Sequence, residues 1–138
     1  MLLYEIKIAY ERQTGEDNPN KVKETYLIEG VNCADVEKRL FDEIGRYISG
    51  DSEVTQCKKV QYHDILDKSE GDNWYKGRVE LITIDDNGKE SRKAVSILVQ
   101  ATNIHFALKR LKEHVDSLDC EIISLTKSKI VDVLHAIH

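Results

Sequence analysis

A chain of 138 residues with 41% apolar and 33% charged side chains has the size and balance of one globular domain, which excludes a disordered or fibrous organisation. Net charge is −5, with 10 basic and 15 acidic residues in 1–70 against 10 of each in 71–138, so an overall basic, duplex-wrapping surface is excluded while a local basic face is not. The odd set Cys33, Cys57 and Cys120, with no Cys-x-x-Cys spacing, argues against a disulfide framework or zinc knuckle and for reduced, small apolar residues.

In chain order, Tyr4, Ile6, Ile8 and Tyr10 alternate with Glu5, Lys7 and Ala9, the period of a strand with one buried face, predicted over Leu3 to Glu11. Turn formers from Gly15 to Asn20, including the single proline Pro19, predict a hairpin loop. Alternation then resumes over 21–29 through Val22, Tyr26 and Ile28. Asn32 is placed to cap a helix, with Asp35 in its first turn. The apolar stripe Val36, Leu40, Ile44 and then Tyr47 or Ile48 carries that helix toward Ser49-Gly50. A third strand is predicted from Val54 to Tyr62, followed by a polar connector from Asp67 to Asn73.

Trp74 to Ile84 is a fourth long strand, closed by a tight Asp85-Asp86-Asn87-Gly88 turn in which both Asn87 and Gly88 suit positive φ. Arg92 to Gln100 is the fifth. Thr102 or Asn103 then caps a helix with the stripe Ile104, Ala107, Leu108, Leu111, Val115 and Leu118, and Cys120 to Thr126 is the sixth strand.

The stretch from Leu27 to Ile44 recurs at a constant offset from Leu98 to Val115, with Asn32/Asn103, Lys38/Lys109, Arg39/Arg110 and Leu40/Leu111 identical. Asp132-Val133-Leu134 echoes Asp64-Ile65-Leu66 at a slightly shorter offset. The expectation is an α+β fold of mainly antiparallel sheet with two helices. It is a tandem duplication of a strand-strand-helix-strand unit in one domain, with repeats 1–67 and 74–138 and a connector over 68–73. A right-handed crossover predicts strand order 2-1-3 in each repeat, with the helix on one sheet face.

Trp74-Tyr75-Lys76, Leu98-Val99-Gln100-Ala101, Tyr47-Ile48-Ser49-Gly50 and Ile130-Val131-Asp132-Val133-Leu134 resemble an uncharacterised family of short bacterial proteins. It is known only as a domain of unknown function and is found near phage and mobile-element genes. The resemblance spans nearly the whole chain, and it implies no reaction, cofactor or site residue.

Trp74, Lys76 and Arg78 share one strand face, with Arg92 or Lys93 on the partner strand and Lys127 and Lys129 near the end. Rings beside cations are what single-stranded nucleic acid asks of a sheet, and equally what a solvated sheet face carries. Trp74, Lys76, Arg78, Arg92, Lys93 and Lys127 are therefore the candidate nucleic-acid or partner surface. His63, Asp64, Asp132, His135 and His138 lack any known metal spacing. Cys33 stands in a helical first turn, where a thiol is activated, but its counterpart in the second repeat is the apolar Ile104, which points to packing.

No catalytic residue, cofactor or metal is assigned. Glu5 and Lys7 interrupt any signal-like apolar run, and no run approaches the roughly 20 residues of a membrane span, so the expected location is cytoplasmic with no membrane partner. The expected function is a non-enzymatic binding or regulatory module acting on a protein partner or on itself. The alternative is a nucleic-acid-binding protein using the second hairpin sheet.

Overall fold

A computed structural model describes residues 2–12, 20–67 and 71–135. In chain order its elements are β1 (Leu2–Arg12), β2 (Asn20–Gly30), α1 (Cys33–Ile44), β3 (Ile48–Val60), β4 (Asp64–Leu66), β5 (Asn73–Ile84), β6 (Glu90–Ala101), α2 (Ile104–Val115), β7 (Cys120–Lys127) and β8 (Ile130–Leu134). The described chain is α+β, two four-stranded mixed sheets with two helices, and no helix among the described residues is long and apolar enough to cross a membrane.

The chain divides into two compact units, Met1–Val60 with Lys129–His138, and Gln61–Ser128. In the first unit the sheet order is β3-β1-β2-β8. The alternation in β1 turns Tyr4, Ile6, Ile8 and Tyr10 to one face, where they form a core with Tyr26, Ile28 and the α1 residues Val36, Leu40 and Ile44. Asn32 starts α1 by accepting the Asp35 N–H at 2.8 Å, and the Asp35 carboxylate in turn accepts the Val31 N–H at 3.1 Å. One orphan N–H of the first helical turn and the N–H just before the cap are thus satisfied reciprocally.

The second unit has order β4-β6-β5-β7. Its core joins Tyr75, Val79, Ile97, Val99 and Ala101 to Ala107, Leu111 and Val115 of α2, and Asn103 caps α2 by accepting the Phe106 N–H at 3.0 Å. In each unit the third long strand pairs antiparallel with the first, β3 with β1 and β7 with β5, which is the expected 2-1-3 order. The fourth strand is the addition: β4 lies parallel to β6 and β8 parallel to β2. Both added strands are too short to show a period, so only an echo of composition marked them.

Several local boundaries differ from expectation. α1 ends at Ile44, and a 3₁₀ turn over Gly45–Tyr47 leads into β3 at Ile48. The turn keeps Tyr47 and Ile48 packed against the same core as Ile44, so the apolar spacing runs on past the last α-helical hydrogen bond. β3 begins at Ile48 rather than Val54 because backbone pairing to β1 extends to Tyr10 with Ser52 and Arg12 with Ile48. An edge strand can hold its place by such bonds with few buried side chains. The predicted connector is shorter, since Asn73 already opens β5. Gly71, at φ +141°, brings its backbone against that of Ala101, where any Cβ would stand 2.2 Å from the carbonyl carbon. The Gly15–Pro19 part of the first hairpin loop lies outside the described residues.

The second hairpin turn also departs from expectation. Only Gly88 takes a positive φ, +80°, and no non-glycine residue among those described does so. The Asp85 carboxylate accepts the Asn87 and Lys89 N–H groups at 2.9 and 2.8 Å, and the Gly88 N–H donates to the Asp85 carbonyl at 3.0 Å. This is a turn with one left-handed glycine, so Asn87 keeps ordinary backbone geometry. Gly88→Val is expected to cost about 1–2 kcal/mol through the left-handed backbone alone, since a Cβ there meets nothing within 4 Å. Urea denaturation measures this, and a wild-type midpoint would show that Gly88 carries no conformational demand.

Candidate functional site

Register decides which candidate side chains meet. On β5, Tyr75 and Val79 belong to the core under α2, so Trp74, Lys76 and Arg78 turn to the opposite sheet face, where the β6 partner of Ile82 is Arg92. These four share a face. Lys93 is opposite Leu81 and Lys127 opposite Tyr75, which puts both on the α2 face. The expected surface is therefore split between the two faces of the sheet.

The four do not form an open platform. Trp74 is only 3% exposed, so its ring offers no face on which a base could stack. The Arg92 guanidinium is 2.8 Å from Glu121 and 3.5 Å from Glu80 and Glu90. Its pKa is raised, first by the hydrogen bond to Glu121 and then by the charge of Glu90. With three carboxylates around it, Arg92 is neutralised locally, although so exposed a network adds little stability. Lys76 places its ammonium 5.9 Å from the centre of the Tyr62 ring, within cation–π reach. Arg78 is exposed on the same face.

The remaining groups are held by neighbours. Asp64 pairs with His114 of α2 at 2.7 Å, and His135 with Glu29 of β2 at 2.6 Å; His138 lies outside the described residues. Among the described residues no group of three or more His, Cys, Asp or Glu is placed to hold a metal ion. Tyr10 and Tyr26 both donate their hydroxyls to Glu24. Burial, reinforced by that carboxylate, raises the Tyr10 pKa to about 12 and moves Tyr26 further in the same direction.

The expectation of three reduced cysteines is overturned for two of them: Cys33 and Cys57 form a disulfide, with Cα atoms 6.1 Å apart. It ties the first residue of α1 to the β3 position opposite Ile6. Cys33 is thereby a structural half-cystine, and Cys120 remains a free, half-buried thiol.

Arg39 and Arg110 have a role that periodicity does not show. Arg39 donates to the carbonyls of Glu29, at the end of β2, and His135, just beyond β8. Arg110 donates to Gln100, near the end of β6, at 2.7 Å and to Leu66, the last residue of β4, at 3.2 Å. Each arginine thus fastens a short parallel strand to its neighbour from the helix above, a task that suits a rigid fork of donors. Their identity at matching positions of the aligned segments Leu27–Ile44 and Leu98–Val115 is the one sequence signal for this. Solvent-facing apolar side chains are the last feature: Ile84, Ile104, Phe106, Leu118 and Ile123 of the second unit are all exposed.

No curated protein matches the chain. Over residues 2–136 the chain matches a family described as a domain of unknown function, DUF4494, and it belongs to that family.

Proposed function

We propose that this DUF4494 chain is a non-enzymatic binding or regulatory module that works through protein–protein contact, with a second copy of itself as the first partner. The observation that carries this reading is Phe106, 56% exposed in the first turn of α2, with Ile104 of the same turn exposed at 42%. A phenylalanine held out by a capped helix end is an anchor of the kind that interfaces bury. The equivalent positions in the first repeat are Asp35 and Cys33, engaged in capping and the disulfide, so the exposed pair is special to α2. The buried Trp74 and neutralised Arg92 weigh against the nucleic-acid alternative, while the exposed Lys76 and Arg78 keep it testable.

Sedimentation over a wide concentration range is expected to show reversible association that Phe106→Glu weakens roughly tenfold or more, as loss of about 2 kcal/mol of apolar burial implies. Added salt should change it little. A chain monomeric throughout would sink self-association. Salt-sensitive binding of single-stranded oligonucleotides, lost in Lys76→Glu with Arg78→Glu, would favour the alternative.

We infer further that the chain descends from a tandem duplication, with repeats 1–67 and 74–138 within one domain, each compact unit taking its short fourth strand from the other repeat. Supporting it are the matching caps Asn32 and Asn103, the matching arginine fasteners Arg39 and Arg110, and the shared 2-1-3 strand order. A bacterial source with ties to phage or mobile elements is supported by the sequence resemblance alone. A cytoplasmic site of action rests on the sequence reading, and the Cys33–Cys57 disulfide weighs against it, since disulfides persist in oxidising compartments.

A further inference from the structure

The face of the first unit's sheet opposite α1 carries a concentration of positive charge. A hollow of about 290 Å³ there is lined by Lys7, Lys23 and Lys129 together with Thr25 and Thr55. Register builds it: Lys7 lies opposite Thr25, and Lys23 lies opposite the small Ala9, so long cationic side chains rise around short ones. Thr55 sits where the β1–β3 register shifts and donates its hydroxyl to the Lys7 carbonyl at 3.3 Å, which keeps it beside Lys7.

None of the three ammonium groups pairs with an acid among the described residues; the lysine of this unit that does so is Lys58, 3.5 Å from Glu5. Glu24 also borders the hollow, but its carboxylate accepts the Tyr10 and Tyr26 hydroxyls and its register partner is the core residue Ile8. The Thr25 side chain, in a residue only 8% exposed, makes no side-chain hydrogen bond among the described residues. Lys23 also borders the neighbouring hollow that holds Glu11, Asp51 and Glu53, yet three cations without an ion-pair partner around one concavity repel each other, and an anion among them relieves that repulsion.

We propose that this hollow binds a small phosphate-bearing anion, a phosphomonoester or diphosphate. The three ammonium groups supply charge, and the Thr25 hydroxyl supplies a donor that orients an oxygen, while Thr55, its own proton on the Lys7 carbonyl, shapes the wall. So small a hollow stands at the low end of ligand sites, which suits a compact phosphorylated molecule better than a long polymer.

The test titrates the full chain with inorganic pyrophosphate, followed by calorimetry and by amide shifts in two-dimensional NMR. Saturable one-to-one binding is expected, with the largest shifts at Lys7, Thr25 and Ile130. Lys7→Gln with Lys23→Gln should weaken it at least tenfold, while Lys93→Gln with Lys127→Gln leaves it unchanged. Should the first double variant fail to fold, Lys129→Gln alone is expected to weaken binding severalfold. Absence of saturable binding, or equal weakening by the two double variants, overturns the proposal. So does binding confined to single-stranded oligonucleotides and rising with their length.

Discussion

Leu111→Ala is expected to lower the stability of the second unit by about 2–5 kcal/mol, toward the upper end of what buried leucines cost. The side chain is fully buried, and it rests directly on β5, where a Cβ placed on Gly77 would come within 2.6 Å of Leu111 Cδ2. The floor of its pocket is therefore backbone, held in register on both sides by β6 and β7, which cannot collapse into a void. Leu40, equally buried, belongs to a core in which the central strand β1 presents Ile6 rather than a glycine. A side chain can shift toward a cavity more readily than backbone paired on both sides, so Leu40→Ala is expected to cost less than Leu111→Ala. Urea denaturation of both variants checks the order. A cost below about 1 kcal/mol for Leu111→Ala would place it outside any core.

Reduction of the Cys33–Cys57 disulfide is expected to cost the first unit about 3 kcal/mol, the loop-closure entropy of a 24-residue separation. The bond joins the capped end of α1 to an edge strand, and without it β3 is held to β1 by backbone pairing and partial burial. Denaturation with and without reductant measures the effect, and the double variant Cys33→Ser with Cys57→Ser should abolish the difference. Amide exchange should quicken in β3 and α1 but not in β7 and α2, where α2 starts at Ile104 and has no disulfide. Identical unfolding of oxidised and reduced protein would mean that the cystine adds nothing to the fold.

How much of this was legible in the chain depends on how far each interaction reaches. The long strands, both helices and their caps are encoded within a few residues: Ile6 and Ile8 alternate with charges, Leu40 and Leu111 lie on helical stripes, and Asn32 and Asn103 reach N–H groups three positions on. The 2-1-3 order follows too, because crossover handedness leaves few choices. The α1 boundary escapes this logic because a 3₁₀ turn preserves apolar spacing, and the early start of β3 escapes it because edge pairing needs little burial.

The candidate surface was only half visible. Alternation put Trp74, Lys76 and Arg78 on one face, yet pairing with β6 was needed to choose Arg92 over Lys93, and with β7 to turn Lys127 to the other side. The hollow around Lys7, Lys23 and Lys129 joins three strand segments, and no local pattern announces it.

By itself, then, the sequence determined the local geometry of this protein: which long segments extend, which coil, where each helix starts and most of the side chains that leave water, although Ile104 and Leu118 of the expected α2 stripe stay exposed. Only the tertiary structure decided what meets across the chain. It paired β8 with β2 and β4 with β6, set Arg39 on a carbonyl 96 positions away, and closed Cys33 onto Cys57. The physical reason is range. Periodicity and capping act over one helical turn or one strand, whereas a disulfide, a parallel strand pair or a lysine cluster exists only after distant segments share a register.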